Sequence, residues 1–153
     1  MIKNTESGKN SRYIVQTLQA PQTGSAEFQA FYKTWADRIL WMDGNVVPGA
    51  FQMNTSWYFA APEAGKEQVI DEHAHGYDEI IGFYGSDPQD KYNLNAVIQL
   101  AIDGEWHELT RSSIIFVPGG MKHMPLKILR VDKPIFHFSV VMNSEYNGET
   151  AYR

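Results

Sequence analysis

The chain has 153 residues and a mass of 17.4 kDa, a length that predicts one domain around one core. Thirteen Lys and Arg stand against eighteen Asp and Glu, a net charge of −5, which argues against a nucleic-acid partner, since such a surface needs a basic stripe. With no cysteine there is no disulfide scaffold, no thiolate nucleophile and no Cys-held zinc or iron–sulfur centre, so any metal must be held by nitrogen and oxygen.

The polar opening MIKNTESGKNSR lacks the apolar stretch of a secretory signal, and no apolar run reaches membrane-spanning length. A soluble, cytoplasmic protein with no membrane partner is expected. Residues 13–18, YIVQTL, alternate like a strand that could add to a sheet edge, and Pro21 ends the stretch. Over residues 25–37, Phe28, Phe31, Tyr32 and Trp35 fall at i, i+3, i+4 and i+7, which predicts a helix capped by Ser25. Its aromatic face is expected to pack on the outside of the main domain or against a partner subunit, and it need not be part of an active site.

Beyond Arg38 the pattern becomes a series of short strands: 39–42, 51–59, 68–75, 79–84, 94–102, 105–110, 113–117, 124–131 and 135–142. Turn residues punctuate them at Asp43-Gly44, Pro48-Gly49, Asp103-Gly104 and Pro118-Gly119-Gly120. The series predicts an all-β sandwich or barrel at 39–143, preceded by a strand-and-helix extension at 1–38 and followed by a polar tail at 144–153.

Three of the five histidines form a pattern suited to metal binding. In a strand, residues i and i+2 face the same side, so the imidazoles of His73 and His75 can converge on one point. Glu79 follows at the same parity, after a Gly76 that can bend the chain, and offers a carboxylate either as a ligand or as a general base. A closed site needs a donor from a distant strand, and His123, just after the Pro-Gly-Gly turn, is the candidate. The competing reading makes the three histidines polar residues of an exposed sheet face, and Glu79 a partner of a ligand or a general base instead of a ligand.

His73-Ala-His75, then Glu79 three residues on, resembles the first motif of the cupin superfamily, and Pro118-Gly-Gly120 followed by His123 resembles the second. Ser112 stands where the second motif usually opens with Gly, and Lys127 where it often closes with Asn. The resemblance implies a jelly-roll β-barrel with one divalent transition metal (iron, manganese, nickel, copper or zinc) on His73, His75, Glu79 and His123. It further implies an enzyme acting on a small organic molecule. Dioxygenase chemistry is the leading expectation, beside metal-assisted isomerisation or decarboxylation and a non-catalytic sensing module. A homodimer is also implied, with the YIVQTL strand available to pair with a neighbour.

Other residues are candidates by parity. His137, in IFHFSVV, is either a core histidine or a pocket residue that moves a proton or orients substrate. Trp57 and Phe83 are expected to line the pocket, while His107 reads as a surface residue and Lys122 as pointing away from the site.

Overall fold

The computed structural model describes residues 8–21 and 24–146. Nine strands follow the helix α1 (Ala26–Tyr32): β1 (Ala36–Met42), β2 (Gln52–Tyr58), β3 (Gln68–Ile70), β4 (Glu79–Gly85), β5 (Asn93–Ile102), β6 (Glu105–Arg111), β7 (Ser113–Val117), β8 (His123–Val131) and β9 (Ile135–Val141). All pairings are antiparallel, in a five-stranded sheet ordered β1-β2-β9-β4-β7 and a four-stranded sheet ordered β3-β8-β5-β6. The two sheets form a jelly roll around one core, in which Ile81 and Phe83 of β4 meet Leu94, Ile98 and Leu100 of β5 and Leu126 of β8.

Local chemistry fixes the boundaries. Ser25 caps α1 by accepting from the Phe28 amide at 3.1 Å. The helix ends earlier than its aromatic period predicts, because the Trp35 carbonyl is taken by the amides of Phe59 and Ala60 beyond β2. That draws Trp35 into the core and starts β1 three residues before the expected position. At Asp103-Gly104 both residues have positive φ, 48° and 81°, as a tight hairpin between β5 and β6 requires.

Two expected strands differ. Residues 14–18 join no sheet, and Ser11–Tyr13 instead form a 3-10 turn. The expected strand at 68–75 is regular only over β3, where the register with β8 shifts between Gln68 and Ile70. It resumes as a single bridge in which His73 and His123 exchange amide-to-carbonyl bonds of 3.0 Å. Among the described residues no helix is long and apolar enough to cross a membrane.

Candidate metal centre

The centre lies where the two sheets meet. The His73–His123 bridge aligns two imidazoles, and the Pro-Gly-Gly turn is clamped to the loop bearing the third. Gly120 donates to the His75 carbonyl at 2.7 Å, and Gly119 donates to the Asp78 carboxylate at 2.8 Å. A side chain at Gly119 would meet the Gly76 carbonyl at 3.0 Å, so this close approach needs glycine. Glu79 opens β4 and points inward from the facing sheet.

Each imidazole is oriented by its own backbone. Nδ1 of His73, His75 and His123 donates to the carbonyls of Asp71, Tyr77 and Met121 at 2.9, 2.8 and 3.0 Å. This arrangement leaves the three Nε2 atoms as the inward donors. Oε2 of Glu79 sits 2.9 Å from His75 Nε2 and 3.1 Å from His123 Nε2. One donor atom from each of the four residues lies within 4.8 Å of the others.

Lone pairs and a carboxylate brought this close require a positive charge among them. Either a proton or a metal cation can supply it. Burial would raise the Glu79 pKa, but its hydrogen bonds with His123 and His75 prevail and hold it at about 2. Burial likewise opposes charge on His75, yet the Glu79 carboxylate raises its pKa; burial lowers that of His73. The donor set, imidazole nitrogen and carboxylate oxygen, fits a first-row divalent ion.

No protein-family model and no curated protein matches the chain. Solved structures do. Oxalate oxidase in complex with glycolate is 11% identical with a TM-score of 0.51, the match covering 94% of this chain and 65% of that one. Peruvianin-I, a cysteine peptidase from Thevetia peruviana latex, is 8% identical with a TM-score of 0.53, covering 97% and 82%. An RmlC-like cupin from Shewanella frigidimarina is 17% identical over 62% of this chain and 68% of its own, with a TM-score of 0.39. This chain has the cupin fold. An oxidase and a peptidase share that fold, so the chemistry of this chain must be argued from its own site.

Two of the four donors, His73 and Glu79, line a small cavity of about 30 Å³. His137 belongs to its wall. Nδ1 of that residue donates to the Gly82 carbonyl at 3.0 Å, so in the neutral ring Nε2 is the basic nitrogen. The ring packs against both Tyr58 and Phe83, with centroids 5.0 and 4.9 Å away, and burial lowers its pKa to about 4.

The expected pocket roles of Trp57 and Phe83 are corrected. Trp57 lies on the outer face of β2, against Phe136, because the inward parity of that strand belongs to Gln52, Asn54, Ser56 and Tyr58. Phe83 points inward but is fully buried behind His137, outside the cavity wall. His107 lies on an edge strand beside Glu105, and Lys122 turns outward to Glu72.

Several wall residues carry no motif. Asn54 donates to Ser139 at 2.8 Å, and Tyr32 donates to Ser56 at 2.8 Å. With Trp35 and Arg38 they line the side of the cavity nearest the helix, so α1 helps to build the site rather than packing away from it. The signal available in the sequence is the run of polar residues at inward parity on β2.

Proposed function

We propose that this cupin is a metal-dependent enzyme acting on a small, oxygen-rich organic molecule, with the ion on His73, His75, Glu79 and His123. The observation that carries the reading is the convergence of four acceptors whose imidazole protons are committed elsewhere, beside a cavity that two of them line. A bound redox-active ion would supply dioxygen activation, and a dioxygenase that places both atoms of dioxygen in its product is the leading class.

The protein groups have separable tasks. His137, kept neutral by burial, takes a proton from substrate at Nε2. The buried indole Nε1 of Trp35 has no hydrogen-bond partner, and with the Arg38 guanidinium it forms a donor wall suited to a carboxylate or enolate oxygen. Proton transfer by His137 alone, without dioxygen, would make the same site an isomerase or decarboxylase. The likeness to a glycolate-bearing oxalate oxidase makes small carboxylates the first compounds to assay.

The test is element-resolved metal content of protein purified without chelator, beside a His123→Ala variant. About one equivalent of a first-row metal, lost in the variant, is expected. A wild type that holds no metal and takes up none on titration overturns the reading.

The same proposal includes a homodimer, through a sheet face rather than the N-terminal stretch. Three transverse rows cross the outside of the five-stranded sheet: Met53, Val140, Ile80 and Phe116; Thr55, Phe138, Gly82 and Ile114; and Trp57, Phe136 and Tyr84. On β2, β9, β4 and β7 no charged residue interrupts them, and on β1 the third row ends at the exposed Asp37. Met53, Trp57, Ile80, Tyr84, Ile114, Phe116 and the adjoining Met142 are 37% to 67% exposed. At roughly 150–250 Å² per large side chain they leave on the order of 700 Å² of mainly apolar surface. A stable dimer buries about 800 Å² per partner, and a mainly apolar face is complementary to its own copy. Sedimentation at micromolar concentration is expected to give twice the 17.4 kDa chain mass. A monomer there, or a dimer that survives Phe116→Lys with Ile114→Lys, overturns this interface.

A further inference from the structure

After β9 the chain does not leave the barrel. The Met142 amide donates to the Asp78 carbonyl at 3.1 Å, the Asn143 carbonyl accepts from Gln52 at 2.7 Å, and the Ser144 carbonyl accepts from Gly44 at 2.9 Å. These three bonds tie consecutive residues to three separate segments and turn the chain back over the site. Two residues later Tyr146 enters the cavity wall alongside His73 and Glu79. Its hydroxyl lies 2.9 Å from His73 Nε2, and its ring stands edge-on to His73 and His75 at 6.4 and 6.0 Å.

The tautomer of His73 gives this contact its meaning. Nδ1 donates to the Asp71 carbonyl, so Nε2 carries the lone pair, and the Tyr146 hydroxyl donates to it. The phenol oxygen therefore sits beside the one atom of His73 that can bind an ion. On the far side, Glu79 is in contact with His75 and His123. The carboxylate and the phenol thus bring oxygen to different imidazoles of one cluster.

We propose that Tyr146 is a further oxygen ligand of the metal centre, delivered by the pinned C-terminal segment on the cavity side. On metal binding the hydrogen bond to His73 breaks and its lone pair passes to the ion. The phenol oxygen bonds the ion, and the phenol proton leaves to solvent with no change of oxidation state. The proposal rests on the four-residue site above, and its test separates the two.

Ferric iron is the probe, because a phenolate bound to it gives an intense visible charge-transfer band that imidazole and carboxylate do not. Chelator-stripped full-length protein is loaded with ferric iron, and bound iron and the visible spectrum are measured for wild type and Tyr146→Phe. The expected result is equal iron in both, with the band in the wild type alone. Resonance Raman on the wild type is expected to show phenolate ring modes, and this readout stands even if the variant misfolds. Iron bound without the band, or a band that persists in a folded Tyr146→Phe, overturns the tyrosine ligand and leaves the four-residue site intact. A wild type that binds no iron and no other first-row ion overturns both.

Discussion

The two sheets divide their faces in opposite ways. In the four-stranded sheet, Leu94, Ile98 and Leu100 of β5 and Leu126 and Ile128 of β8 fill the interior. Its outer face is polar, with Gln99 donating to Glu108 at 2.9 Å and Lys127 lying 4.6 Å over the Trp106 ring. The five-stranded sheet turns Gln52, Asn54 and Ser56 of β2 and His137 and Ser139 of β9 inward, all buried, and presents Trp57, Phe136 and Phe138 outward. The four-stranded sheet turns an apolar face inward, whereas the five-stranded sheet adds a polar wall beside its own core residues Tyr58, Ile81, Phe83 and Ile135. A wall built for polar chemistry leaves the apolar residues of its strands on the outside, where a second surface is needed to cover them.

The candidate metal centre joins the two sheets, so its loss is the largest effect expected. Glu79→Ala, which removes the one candidate ligand that the five-stranded sheet supplies among the described residues, is expected to reduce metal uptake at least tenfold by equilibrium dialysis while leaving the far-ultraviolet circular dichroism unchanged. Undiminished uptake would confine the site to the histidines. Core substitution comes next. Leu126→Ala, at a fully buried position of the four-stranded sheet, is expected to cost about 2–5 kcal/mol in urea unfolding. A cost below about 1 kcal/mol would mean that this sheet is not the anchor of the fold.

The polar wall should show itself through pH. His137 has a folded pKa of about 4 against an ordinary 6.5, because burial disfavours the charged ring. The unfolded chain therefore binds a proton at this residue before the folded chain does. Stability from the neutral ring is complete above pH 6.5 and is lost as pH falls toward 4, by on the order of 3 kcal/mol at about 1.4 kcal/mol per pH unit. His137→Gln is expected to flatten the urea midpoint over that window relative to wild type. An unchanged slope would place the acid sensitivity in other groups.

Most of the architecture was legible in the sequence because turn residues bracket nearly every strand and the ligand motif falls at strand and turn positions. The Pro118-Gly119-Gly120 turn and His123 are one example: glycine permits the approach to Gly76, and that approach aims the histidine. The pocket was less legible for a physical reason. Reading strands by period gives two faces without saying which is interior, and the habit of turning apolar residues inward fails on β2. It misplaced Trp57 and overlooked Asn54 and Ser56. Tyr146 and Arg38 were missed because they enter from outside the motif, through a backbone strap and through the early start of β1, both set by long-range hydrogen bonds. The YIVQTL stretch alternates like a strand, yet its local pattern contains nothing that assigns it a partner.

The smallest expected effect on the fold gives the clearest separation of the two sheets. Phe116 is 59% exposed and sits on β7, the edge of the apolar face. In an isolated chain Phe116→Lys removes little buried surface, so its unfolding free energy is expected to stay within about 0.5 kcal/mol of wild type. A dimer adds stability that depends on protomer concentration. Wild type is therefore expected to unfold at a higher urea midpoint when concentrated than when dilute, and the variant at one midpoint throughout. Lys127→Ala, a comparable change on the polar outer face, is expected to retain the wild-type dependence. If both variants keep it, the apolar rows are not what joins two copies. If Lys127→Ala alone abolishes it, the interface belongs to the other sheet, and the inverted burial of β2 and β9 serves the cavity alone.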